Sequence, residues 1–132
     1  MKWLKRSGIV ILTLPIIILA IWGAYEILGM CVNRNAAKKQ TETLQTHLQN
    51  EISDVEIMSL FYTANNTSGT GNHVECLSSV EFSTKMQETE IKNRLSKYYV
   101  FDGQNARIQL SNDNYTIYVI TSAPFADNIM GH

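Results

Sequence analysis

The sequence predicts an α+β protein: a single N-terminal transmembrane helix and polar helical stalk, then a small antiparallel sheet domain of order β-β-α-β-β with helices on one face. Three observations predict it. Gly8 to Tyr25 is an uncharged apolar run, long enough as a helix to cross a hydrocarbon core of about 30 Å. Four later stretches are β-branched, aromatic or alternating, each bounded by turn residues. One segment between the second and third has helical spacing and helical charge placement. The chain divides accordingly into a cytoplasmic basic tail (1–7), a transmembrane signal anchor (8–30), a juxtamembrane helix (31–53) and an extracytoplasmic domain (54–132).

The anchor comes first. Lys2, Lys5 and Arg6 precede the apolar run, and Glu26 stands near its far end. The run exceeds the 7–15 residues of a cleaved signal core, and Gly23-Ala24-Tyr25-Glu26 offers no Ala-x-Ala, so an uncleaved anchor is expected. Leu28-Gly29-Met30-Cys31 is loosely similar to a lipobox, but Met30 stands where a small residue belongs. Pro15 is compatible with a membrane helix. Basic residues crowd the N-terminal flank, while Arg34, Lys38 and Lys39 lie beyond the other end. The positive-inside rule then puts the N-terminus in the cytosol and the C-terminal domain outside, in a single-pass cell-membrane protein.

Beyond the anchor, Ala37, Leu44, Leu48 and Ile52 form one narrow apolar stripe on a helix otherwise read as solvated. It can continue the membrane helix as a stalk or pack its lower half on the domain that follows. Asp54 to Thr63 reads as a strand with Val55, Ile57 and Phe61 on one face and Met58, Leu60 and Tyr62 on the other. A strand apolar on both faces suggests cover on both sides. The Asn/Ser/Gly-rich stretch Ala64–Asn72 is a loop. His73 to Ser83 alternates, with Val74, Cys76, Val80 and Phe82 opposed to Glu75, Ser79 and Glu81. Thr84-Lys85-Met86-Gln87 has capping-box spacing before a helix with Glu88 and Glu90 early, Lys97 late, and Ile91, Leu95 and Tyr98 on its apolar face. Asp102-Gly103-Gln104 turns the chain into a third strand with Ala106, Ile108 and Leu110 on one face. Ser111–Asn114 links it to the fourth, Tyr115–Ser122.

The chain of 132 residues carries a net charge of −1, and without its N-terminal tail it is mildly acidic. Scattered Lys and Arg on an acidic domain exclude the clustered basic face that nucleic acid requires. The expected partners are the lipid bilayer and another membrane or envelope protein.

Candidate chemistry is thin. Cys31 and Cys76 are the only cysteines; a disulfide needs their Cα atoms within about 7 Å, and a buried, unpaired Cys76 is the simpler reading. His73 and Cys76, at i and i+3 of a strand, point to opposite faces, and neither CxxC nor HExxH is present to build a metal site. Ser78 and Ser79 lack a nucleophile elbow. Glu75 and Glu81 are about 20 Å apart along a strand, too far for paired acid–base work. No catalytic, cofactor-binding or metal-binding residue is assigned. The apolar tail Ala123–His132 is either a strap across the domain or a docking peptide.

Three functions fit these features. A membrane-anchored, non-catalytic interaction or sensory module accounts for the anchor and the lack of a catalytic constellation. In the second, the apolar helix leading into a small sheet resembles a pilin, and Lys5-Arg6-Ser7-Gly8-Ile9 resembles a prepilin processing site. Thr13 stands where such subunits usually carry Glu. The third is a small exported enzyme with dispersed site residues.

Overall fold

The computed structural model describes residues 2–69 and 71–132, with side chains from residue 13 onward. The basic side chains expected in the tail at 1–7 lie outside that description. The elements are α1 (Lys2–Glu51), β1 (Glu56–Asn65), β2 (Glu75–Ser83), α2 (Glu88–Leu95), β3 (Ala106–Ser111) and β4 (Asn114–Ser122), followed by a 3₁₀ turn at Ile129–Gly131. A long N-terminal apolar helix followed by a four-stranded antiparallel sheet and a second helix makes the protein α+β.

Helix α1 is unbroken over 50 residues, with Pro15 inside it, a length of about 75 Å. Its two halves live in different surroundings. Leu14, Ile16, Ile17, Ile18, Leu19, Ile21, Trp22 and Tyr25 are all exposed. From Gly29 on, every third or fourth residue is buried: Gly29, Asn33, Ala37, Thr41, Leu44 and Leu48, then Ile52 just past the end. This is the periodicity of a helix face laid on a core. Cover thus begins where the apolar run ends.

The sheet order is β1-β2-β4-β3, every pairing antiparallel. Both helices bury against one face. Leu44, Leu48 and Ile52 of α1 and Ile91 and Leu95 of α2 join Val80, Phe82, Ile108, Tyr115, Ile117 and Val119 of the sheet in one cluster. Each fully buried Leu, Ile or Phe there contributes about 1.5–3 kcal/mol. A smaller cluster of Ala37, Ala64, Val74, Cys76 and Ala123 lies at the other end of the contact. The β3–β4 hairpin turns through Asn112 and Asp113 at φ 51° and 65°, the left-handed pair of a two-residue hairpin loop, which Asn and Asp tolerate. Asp102 Oδ1 accepts from the backbone N–H of Gln104 (2.9 Å) and Asn105 (2.7 Å) and shapes the expected turn.

Two local expectations need correction. The face assignment of β1 inverts at a bulge: Ile57 pairs with Phe82, but Ser59 pairs with Glu81 and Leu60 with Val80, leaving Met58 as the extra residue. One inserted residue flips the parity of all that follow, so Ile57 shares the helix-facing side with Leu60, Tyr62 and Ala64, while Phe61 faces away. Nor is β1 covered on both sides. Met58, Leu60, Phe61 and Tyr62 are 55%, 46%, 55% and 44% exposed: Phe61 lies on the uncovered face, and the helix-facing Leu60 and Tyr62 sit on an edge strand, at the margin of the cover.

The second correction concerns α2. Its N-cap is Gln87, without a side-chain cap bond. Thr84 instead donates to Asp54 Oδ1 (2.7 Å), and the Lys85 N–H donates to Asp54 Oδ2 (2.9 Å). The Thr-x-x-Gln spacing is real, but Thr84 Oγ1 accepts from the Met86 N–H (3.2 Å) and the helix starts after Gln87, so no box forms.

Candidate functional site

Three regions of the domain present side chains that could do something: the open face of the sheet, the C-terminal end of α1, and the end next to the apolar run, where the C-terminal segment returns to α1.

On the open face, register puts Phe61, Ser79, Tyr118 and Arg107 in one row across all four strands. The Arg107 guanidinium lies 4.7 Å from the Tyr118 ring centroid, a cation–π contact that holds both long side chains flat. Leu77 pairs with Ile120 in the next row. A shallow hollow of about 510 Å³ opens beside them, its lining including Thr67, Glu75, Leu77, Arg107 and Ile120. Tyr115 lies on the opposite, buried side, as alternation predicts. With the Met58–Tyr62 edge, this face offers aromatic, apolar and one basic group for contact with a protein surface. The edge strand carries neither Lys nor Pro, the residues that usually blunt an edge.

The acidic and nucleophilic candidates are engaged locally. Glu75 Oε2 accepts from the Thr67 hydroxyl and from the Ser68 N–H (2.9 Å); these bonds hold its carboxyl below the ordinary range against the opposing pull of burial. Glu81 accepts from Ser59 (3.1 Å) and Asn114 (3.4 Å). The two carboxylates do not converge. Ser78 points into the α1 interface, its Oγ 2.7 Å from Thr41 Oγ1. His73 Nε2 meets Ser122 Oγ at 3.0 Å. Cys76 lies on the α1 side with its thiol toward the Asn33 carbonyl at 3.7 Å, and burial pushes that thiol up. Cys31 is exposed, and both thiols are free. Among the described residues, no group of three or more His, Cys, Asp or Glu could hold a metal ion.

At the C-terminal end of α1, His47 stacks on Tyr98 with centroids 3.7 Å apart and 7° between planes. Its Nδ1 is 2.8 Å from the Tyr99 hydroxyl. Burial, helped by Tyr98, pushes the Tyr99 phenol up to about 12. Tyr98 donates to Glu51 (3.0 Å), and Lys97 pairs with the same carboxylate at 2.7 Å. The cluster fastens α2 to the end of α1.

The end next to the apolar run is built from the C-terminal segment. The segment after β4 returns as a strap. Ala123 N–H donates to the Val74 carbonyl, and Val74 N–H to Ala126. Asn33, buried on α1, clamps Phe125 from both sides: its Nδ2 donates to the Phe125 carbonyl, and its Oδ1 accepts the Phe125 N–H, each at 2.9 Å. Asn128 donates to the Glu26 carbonyl (2.9 Å) and carboxylate (2.7 Å), while the Ile129 N–H donates to the same carboxylate at 2.9 Å. Phe125 and Tyr25 rings meet at 5.5 Å. A hollow of about 620 Å³ beside this contact is lined by Met30, Arg34, Tyr62, Asn65 and Met130 among others.

The comparisons with known proteins add no relative. No family model matches the chain, and neither the curated proteins nor the solved structures include a significant match. By length and composition, one helix among the described residues could cross a membrane, and it lies near the N-terminus.

Proposed function

We propose that the chain is a single-pass membrane-anchored module whose α+β domain stands outside the cytoplasm and engages another membrane or envelope protein without catalysing a reaction. The observation that carries this reading is the division of α1. Its residues 14–22 expose Leu, Ile and Trp side chains away from the domain, whereas the same helix from Gly29 onward is the spine of a packed domain. Burial of that exposed surface in lipid resolves an otherwise costly display of apolar area. The open sheet face and the β1 edge are the surfaces left for a partner. Alkaline carbonate extraction tests the anchor, and retention in the pellet is expected. Release of intact chain into the soluble fraction overturns it. Orientation is read from reporters fused after His132, where a reporter active only outside the cytosol is expected to work.

A second reading, a pilin-like filament subunit, is favoured by one specific observation. The 50-residue helix α1 runs unbroken from an exposed apolar half into the spine of a four-stranded antiparallel sheet. Processing after Gly8, seen as a shortened N-terminus by intact-mass measurement, selects this reading over the uncleaved anchor.

A further inference from the structure

We propose that the C-terminal strap, Phe125 to Met130, is a second membrane contact that seats the domain on the bilayer at the exit point of α1. This rests on the anchor reading above and adds a lipid-facing surface on the domain itself.

The argument starts from position. Gly8 to Tyr25 is 18 residues, about 27 Å of helix, close to the thickness of a hydrocarbon core. The strap docks on the next stretch, from Glu26 to Asn33, which covers only about 11 Å more. That interval is the headgroup layer and its inner edge.

Chemistry points the same way. Between Arg6 and Arg34 the sequence holds one ionisable carboxylate, Glu26, and the exposed apolar side chains Ile27, Leu28 and Met30 continue past it. A lone carboxylate at such a depth needs donors. The strap supplies them from Asn128 Nδ2 (2.7 Å) and the Ile129 N–H (2.9 Å). The same strap exposes Ile129 at 48% and sets Phe125 against Tyr25, one helical turn beyond Trp22. Trp and Tyr at this height are the usual residues of a membrane interface. Asp127 is the one charged residue of the strap and is exposed; with no Lys or Arg from Phe125 to Met130, the contact has no cation to pair with anionic lipid.

Collision measurements on the full chain in phosphatidylcholine vesicles test the proposal. A nitroxide is placed at residue 129 (I129C) in a C31S background; Cys76 is buried and stays unlabelled. Reference labels go at L19C, in the apolar run, and at V100C. Val100 adjoins Tyr99, which meets His47, and His47 is 21 residues and about 30 Å up α1 from Glu26. The ratio of oxygen to water-soluble nickel-chelate collisions is expected to be several-fold higher at 129 than at 100, and below that at 19. A ratio at 129 equal to that at 100, with 19 still lipid-like, overturns the strap contact and leaves the anchor standing. A water-like ratio at 19 removes the anchor and the strap contact together. Circular dichroism of each labelled chain establishes that the fold is intact.

Discussion

Asn128 donates from Nδ2 to the Glu26 carboxylate at 2.7 Å, joining positions 102 residues apart. The same nitrogen reaches the Glu26 carbonyl, and Asn128 Oδ1 accepts from the Met130 N–H at 3.2 Å. One buried amide thus latches the strap to α1 and caps the 3₁₀ turn. Asn128→Ala removes all three bonds and is expected to cost about 1–3 kcal/mol. Urea unfolding measures the loss, and limited proteolysis should show earlier cleavage within residues 123–132. An unchanged midpoint and cleavage pattern contradict the latch.

Gly29 is the floor of that latch. A Cβ there would lie 2.7 Å from Asn128 Nδ2 and 3.2 Å from the Phe125 ring. Gly29→Ala gains helix propensity but forces the strap outward, and the net expectation is a loss of about 1–2 kcal/mol. The loss should shrink in an Asn128→Ala background, where the closest colliding atom is gone. Equal losses in both backgrounds would rule out a clash with Asn128.

How much of this was visible in the residues depends on polarity. The stripe Ala37, Leu44, Leu48, Ile52 shows in the sequence because its members are apolar. Its continuation through Asn33 and Thr41 has the same three- and four-residue spacing, yet both side chains read as solvated. They are buried because each finds a partner far away in sequence: Asn33 finds the Phe125 backbone, and Thr41 finds Ser78. Gln40 likewise donates to the Cys76 and Val119 carbonyls at 3.2 and 3.0 Å. Periodicity reveals a face, but not the long-range partners that let polar residues join it. The bulge at Met58 was hidden for a similar reason, since register is a property of two strands. The strap was legible as apolar, while its docking site was not.

Thr41 and Ser78 form a buried hydroxyl pair at 2.7 Å, with the Ala37 carbonyl 3.0 Å from Thr41 Oγ1. Thr41→Val alone is expected to cost about 1–2 kcal/mol, because Ser78 loses its nearest partner in a buried interface. The double variant with Ser78→Ala should cost less than the sum of the two single changes. Thermal or urea unfolding of the four-member cycle measures the coupling, and strict additivity contradicts it.

Acid stability should depend on Asp54. Bonds from the Thr84 hydroxyl and the Lys85 N–H lower its carboxyl from the ordinary 3.8. A lowered folded value contributes stability that is fully present above the unfolded value and is lost as the pH falls through the folded one. The melting temperature of the native chain should therefore drop more between pH 6 and pH 3 than that of Asp54→Asn. Parallel pH profiles for the two chains would exclude Asp54 as a source of the acid dependence.

The Tyr99 phenol, pushed up to about 12 by burial and by Tyr98, should be among the last tyrosines to ionise. A raised value means the folded state holds the proton more tightly, so the associated stability is present below the ordinary 10 and is lost as the pH rises toward 12. Alkaline titration at 295 nm should lose its late step in Tyr99→Phe. A late step of unchanged size in that variant assigns it to another tyrosine.

The continuity of α1 has a mechanical consequence. From Glu26 to Glu51 the helix rises about 38 Å, and its buried stripe, the Tyr98–Glu51 bond and the Asn128 latch bind the domain to it at both ends. A lever of that length without a joint turns angle into displacement: tilting the apolar half by about 10° carries the Glu51 end sideways by about 7 Å. Rotating it by the 100° that separate neighbouring helical residues swings Arg107 and Tyr118 to a different compass bearing. To the extent that α1 moves as one rod, a tilt or turn of its lower half is carried to the open face of the sheet.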